Sequence, residues 1–70
     1  MTHEKLIDSN PEILGGEPVF RGTRVPIKSL FDHIEAGDSI EEFLEGFPSV
    51  SREQVIALLE LSQARVLEPA

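Results

Sequence analysis

The sequence predicts a mostly α-helical fold: a three-helix bundle with a helix-turn-helix arrangement over residues 26–67, preceded by an N-terminal arm and a short β-hairpin over residues 1–25. Three observations carry this. After position 26 the apolar residues recur at i, i+3, i+4 and i+7, the period of a helix with one buried face. Two of the helical segments open on a serine followed three residues later by Glu or Gln, a reciprocal N-terminal cap. The first 25 residues lack that period and instead carry β-prone pairs around a double glycine.

In the hairpin, Ile13-Leu14 and Val19-Phe20 are the expected strands and Gly15-Gly16 the turn. Two isolated strands are marginal in water, so the hairpin must lie against the helices. Gly22 marks a bulge or sharp turn after the second strand. Residues 1–8 read as a loosely held arm and Glu68-Pro69-Ala70 as a frayed end.

The first helix starts behind Pro26, which suits a first turn because its missing N–H is not needed there. Its apolar face is Ile27, Leu30, Phe31 and Ile34, and Gly37 stops it. The second helix has Ser39 as cap, Glu42 as its partner and Ile40, Phe43, Leu44 and Phe47 as its buried side, ending at Gly46 to Pro48. The third is capped by Ser51 with Gln54 and runs through Val55, Leu58, Leu59, Ser62 and Val66. The lengths are roughly ten, seven and fifteen residues. Around the third helix the apolar surface also takes in Ile56, Leu61 and Leu67, more than one buried stripe requires. Either this helix is central to the bundle, or that second face meets a partner chain.

The 70 residues make one domain, and a chain this short buries only about 60% of the surface its unfolded form exposes. With no cysteine, and with His3 and His33 far apart, neither disulfides nor a structural zinc are expected to help. Association with a second copy or another protein is the remaining support. No apolar run approaches the ~20 residues of a membrane span, and Glu4 and Asp8 interrupt the first ten positions, so a cytoplasmic, non-membrane chain is expected.

The formal charge of −7 is unevenly spread. Residues 1–20 carry four acids against Lys5, and residues 29–70 carry nine acids against Arg52 and Arg65; Arg21, Arg24 and Lys28 stand between them with no acid among them. An acidic surface repels a nucleic-acid backbone, so any DNA contact must be local. Overall, the balance favours a protein partner.

No catalytic set assembles. There is no thiol, and Asp32 and His33, adjacent on a helix, point about 100° apart. Glu41, Glu42 and Glu45 read as a solvated helix face with one cap partner. The chain is expected not to be an enzyme and to carry no metal or cofactor. The second and third helices, joined by "GFPSVS", have the order of a homeodomain-like helix-turn-helix, whose last helix would offer Ser51, Arg52 and Gln54 to a major groove, with Lys28 as a further phosphate contact. A plain three-helix core explains the same pattern.

The stretch "FRGTRVPI" admits two readings. Arg21 and Arg24 could pair with carboxylates such as Asp32 or Glu35 and brace the hairpin, although exposed pairs stabilise by only about 0–1 kcal/mol each. Alternatively, a glycine-bent surface presents guanidinium forks to phosphate or to a partner's carboxylates.

The order Gly16, Pro18, Arg21-Gly22-Thr23-Arg24, Pro26, followed by an amphipathic helix, Gly37-x-Ser39, an acidic helix and Phe47-Pro48 before a capped helix, closely resembles the family known as domain of unknown function 433. The resemblance spans about residues 6–64, with Glu17 where a lysine is common and "LELSQAR" in place of an ending richer in alanine and tyrosine. It implies a small helix-turn-helix protein with an N-terminal hairpin, similar to VapB-type antitoxins found beside a toxin with a PIN-like nuclease fold. On that resemblance the chain is expected to neutralise a PIN-like ribonuclease through Arg21, Gly22, Thr23, Arg24 and Arg65, as a dimer, with operator DNA as a second ligand. A homodimeric adaptor with no nuclease partner, joined through Ile56, Leu61 and Leu67, is the competing expectation.

Overall fold

The computed structural model describes residues 3–9, 11–12 and 14–67. In chain order they form a single turn α1 (His3–Leu6), strand β1 (Ile7–Asp8), strand β2 (Val19–Phe20), and three main helices, α2 (Ile27–Glu35), α3 (Ile40–Gly46) and α4 (Arg52–Leu67). The mostly α fold with a short N-terminal hairpin is thus the one the apolar period predicts.

The hairpin is built from a different first strand than expected. β1 pairs antiparallel with β2, Ile7 opposite Phe20 and Asp8 opposite Val19. Leu14–Gly16 forms a 3-10 turn instead of a strand, and Ile13 lies outside the described residues. The cause is burial. With β1 in this register, Leu6 just before it drops fully into the core, and its carbonyl accepts from the Arg21 N–H at 2.9 Å. Two-residue strands have too little pairing to set their own register, so the packing of neighbouring side chains sets it. Residues 3–8 are therefore not a loose arm; Glu68-Pro69-Ala70 lie outside the described residues.

The helix ends follow local chemistry. Pro26 is the N-cap of α2, one position earlier than the first-turn site expected, with an extended ψ of 141°. At the other end the Gly37 N–H bonds to the Ile34 carbonyl and the Asp38 N–H to the His33 carbonyl. This double closure requires a left-handed residue between them, and Gly37 supplies it at φ +87°. Ser39 and Glu42 form the reciprocal cap of α3. At α4, Ser51 Oγ accepts from the Gln54 N–H at 3.1 Å and Gln54 Oε1 accepts from the Ser51 N–H at 2.9 Å.

The core unites Leu6, Phe20, Val25, Leu30, Phe43, Val50, Val55 and Leu58. Phe43 is fully enclosed, with its ring 6.2 Å from Phe20 and 4.9 Å from Phe47. His33 stands edge-on to Phe43 and Phe47 at 5.4 and 5.7 Å, its Nδ1 2.9 Å from an Asp38 carboxylate oxygen. Two residues placed on buried stripes by their spacing are exposed: Ile34 at 41% and Val66 at 81%. Each is the last apolar residue of its stripe, and the body ends before covering it.

Candidate functional site

The turn from Phe20 to Val25 is closed by its own backbone and by one hydroxyl. Phe20 donates to the Val25 carbonyl at 3.0 Å and Thr23 donates to the Phe20 carbonyl at 3.0 Å. Thr23 Oγ1 adds a bond to the Phe20 carbonyl at 2.7 Å and accepts from the Val25 N–H at 3.1 Å. Gly22 takes φ +80°, with open space where a Cβ would stand, so glycine is required here by backbone conformation alone. Phe20 and Val25 are buried at the two feet of the turn; Arg21, Gly22 and Arg24 are exposed at its crest.

A second tie comes from α4. Gln54 Nε2 donates to the Arg21 carbonyl at 3.0 Å while the same amide's oxygen caps α4. One side chain thus fixes the crest of the turn to the start of a helix. No ion pair engages Arg24 among the described residues. Asp32, a suggested internal partner for these arginines, pairs instead with Lys28 at 3.2 Å along α2. What the turn offers chemically is a planar guanidinium on a tied base, suited to forked hydrogen bonding with carboxylate or phosphate.

The remaining candidates fall into separate places. Ser51, Arg52 and Gln54 share the first turn of α4, and each has an intramolecular role: Ser51 and Gln54 in the cap, Arg52 in an ion pair with Glu41 at 2.6 Å. That hydrogen bond, with the guanidinium charge, holds the Glu41 carboxyl below its usual range. Lys28 lies on α2 beside a groove, and among the described residues no contact joins it to the α4 set. Arg65, in the last turn of α4, lines the far part of that groove with Leu61, which packs against the core. Leu61 is half-buried and lines this groove, whereas Ile56 and Leu67, at 37% and 71% exposed, stand on another side of α4.

Sequence reasoning missed two features. The Gln54 bond to Arg21 spans 33 positions, and no local pattern announces it. The His33–Asp38 contact crosses the Gly37 turn, and its spacing of five residues becomes meaningful only once that closure is known. Among the described residues no group of three or more His, Asp or Glu side chains could hold a metal, and no helix is long and apolar enough to cross a membrane.

Known proteins resemble this chain over most of its length. Uncharacterized protein y4eO of Sinorhizobium fredii (strain NBRC 101917 / NGR234) is 45% identical over 51 residues, which are 73% of this chain and 23% of that protein. The chain spans less than a quarter of the length of this relative. No solved structure matches it. The model of the family described as protein of unknown function (DUF433) matches residues 7–61, which contain the hairpin, the arginine turn, α2, α3 and the first ten residues of α4, and the chain belongs to that family.

Proposed function

We propose that this chain is a non-enzymatic binding protein, the antitoxin of a type II toxin–antitoxin pair, which occupies a PIN-like ribonuclease through the arginine turn. The reading rests on one observation: Arg24 is exposed on a turn tied at both feet and at the crest, with no carboxylate of its own chain engaged among the described residues. A PIN-type nuclease gathers carboxylates around a divalent cation. A guanidinium inserted there meets the same negative field that holds the metal. Arg21 and Arg24 supply the crest, Gly22 and Thr23 its shape, and Arg65 a further cation at the opposite end of α4.

The test is a reconstituted pair with the product of the adjacent reading frame. Arg24→Ala and Arg24→Glu release nuclease activity, with inhibition weakened by about thirtyfold or more, as for a buried arginine anchor. Undiminished inhibition by both variants contradicts the proposal.

Operator binding is its second part, assigned to Lys28, Ser51 and Arg52 in the dimer or in the complex. Gln54 is less available, since its amide is used at both ends. A gel-shift titration on the upstream region at two salt concentrations decides: retardation that fades steeply with salt supports it, and none at low salt, with or without the partner, removes it. The competing reading is a homodimeric adaptor without a nuclease partner, joined through α4 by Ile56, Leu61 and Leu67. It requires a stable dimer of the chain alone and no co-purifying protein.

A further inference from the structure

Beside α2 runs an apolar groove of about 560 Å³, continued toward α4 by a second hollow of about 350 Å³. Ile7, Ile27 and Phe31 line both, so the two form one trough, closed by Pro18 at one end and by Leu58 and Leu61 at the other. Its polar edges are few. The Lys28–Asp32 pair and Glu35 border the α2 part, and Arg65 borders the α4 part. Neither Glu35 nor Arg65 makes an ion pair among the described residues.

Next to the trough the final turn of α4 overhangs the body. Val66 follows Val55 by about three helical turns and so continues the stripe that Val55 and Leu58 bury, yet it is 81% exposed. This is a core-type position without a core above it.

We propose that the trough receives the overhanging α4 end of a second copy of this chain, in a two-fold contact in which each Val66 enters the other's trough and each Arg65 faces the other's Glu35. A second copy is favoured over a foreign protein because one chain supplies both halves: an apolar knob flanked by a cation, and an apolar trough edged by a carboxylate, neither ion-paired among the described residues. Knob and trough share Arg65 at their boundary, and a two-fold contact requires such self-complementary neighbours on one face. Two chains of charge −7 repel one another, so the contact needs apolar burial and local opposite charges together. This surface differs from the Ile56 and Leu67 side of α4. Val66 itself lies roughly 18 Å along the helix from Gln54. The inference does not depend on the nuclease reading.

Sedimentation equilibrium of the full chain tests it, with circular dichroism confirming that each variant is folded. The wild type shows a monomer–dimer equilibrium, and Val66→Asp raises the dissociation constant about tenfold or more, because an apolar contact is lost twice per dimer. Arg65→Glu and Glu35→Arg each weaken the dimer about threefold or more, and the double variant recovers to near wild type. Ile56→Asp leaves the dimer unchanged. A wild type monomeric at every concentration, a dimer indifferent to Val66→Asp, or a double variant no better than the singles overturns the proposal.

Discussion

Arg24 reaches solvent because its neighbours take up every other demand of the turn. Phe20 and Val25 anchor the feet in the core, Gly22 supplies the left-handed corner, and Thr23 satisfies a carbonyl and an N–H that the turn would otherwise leave open. Gly22→Ala meets no atom, so its cost is that of holding a Cβ at positive φ, about 1 kcal/mol, readable as a lower urea midpoint. Thr23→Val keeps the shape and removes both hydroxyl bonds. It lowers stability by about 1–2 kcal/mol and weakens inhibition in the reconstituted pair although no charge is lost. If Thr23→Val inhibited as well as wild type, the ordering of the turn would have no part in binding. At this level the serine caps and Gly37 were readable from spacing, because their partners lie within one turn of chain. The double duty of Gln54 was not, because its second partner is fixed only by how the hairpin packs on α4.

Among the elements, the helices announced themselves and the hairpin did not. A helix gives repeated apolar positions over several turns; a two-residue strand gives two. Val19-Phe20 was recognisable as β-prone, but its partner was fixed by the burial of Leu6 and not by the β-propensity of Ile13-Leu14. The breadth of apolar surface on α4 resolves into two halves: Val55 and Leu58 are central to the bundle, while Val66 and Leu67 stand beyond it. The junction of α4 with the turn can be tested separately from the cap. Gln54→Glu keeps the acceptor for the Ser51 N–H and loses the donor to the Arg21 carbonyl, so the α4 amides keep their hydrogen-exchange protection while those at Thr23 and Val25 exchange faster. Equal protection in both segments would show that the bond does not hold the turn. Between α3 and α4, the Arg52 guanidinium lowers the Glu41 carboxyl below its unfolded value. The stabilisation from this pair is therefore complete above the ordinary glutamate range and is lost as pH falls through the depressed folded value. Arg52→Gln removes it, so wild type loses more stability than the variant on acidification; parallel pH profiles would contradict the assignment.

As a whole, the molecule is a small core with its charge sorted around it. Phe43 is enclosed by residues from the hairpin, α2 and the end of α3, and Phe43→Ala costs about 3–5 kcal/mol, comparable to the whole stability of so short a chain. Thermal unfolding shows this directly: the variant lacks a cooperative transition, and a shift of only a few degrees would mean that the core is less interdependent than its packing implies. The uneven charge was visible in the sequence, as was the isolation of the three cations between acidic segments. Which of them would be engaged was not, since pairing depends on side-chain reach: Lys28 finds Asp32 one turn away on its own helix, whereas Arg24 makes no ion pair among the described residues.

Whether that turn docks an acidic partner decides the proposed function. The most direct measurement is the affinity of the purified nuclease partner for wild type, Arg24→Glu and Arg52→Gln, each confirmed to be folded. Charge reversal at Arg24 should weaken binding by about thirtyfold or more while Arg52→Gln, whose arginine is spent on Glu41, binds as wild type. Equal affinity of Arg24→Glu and wild type would contradict it.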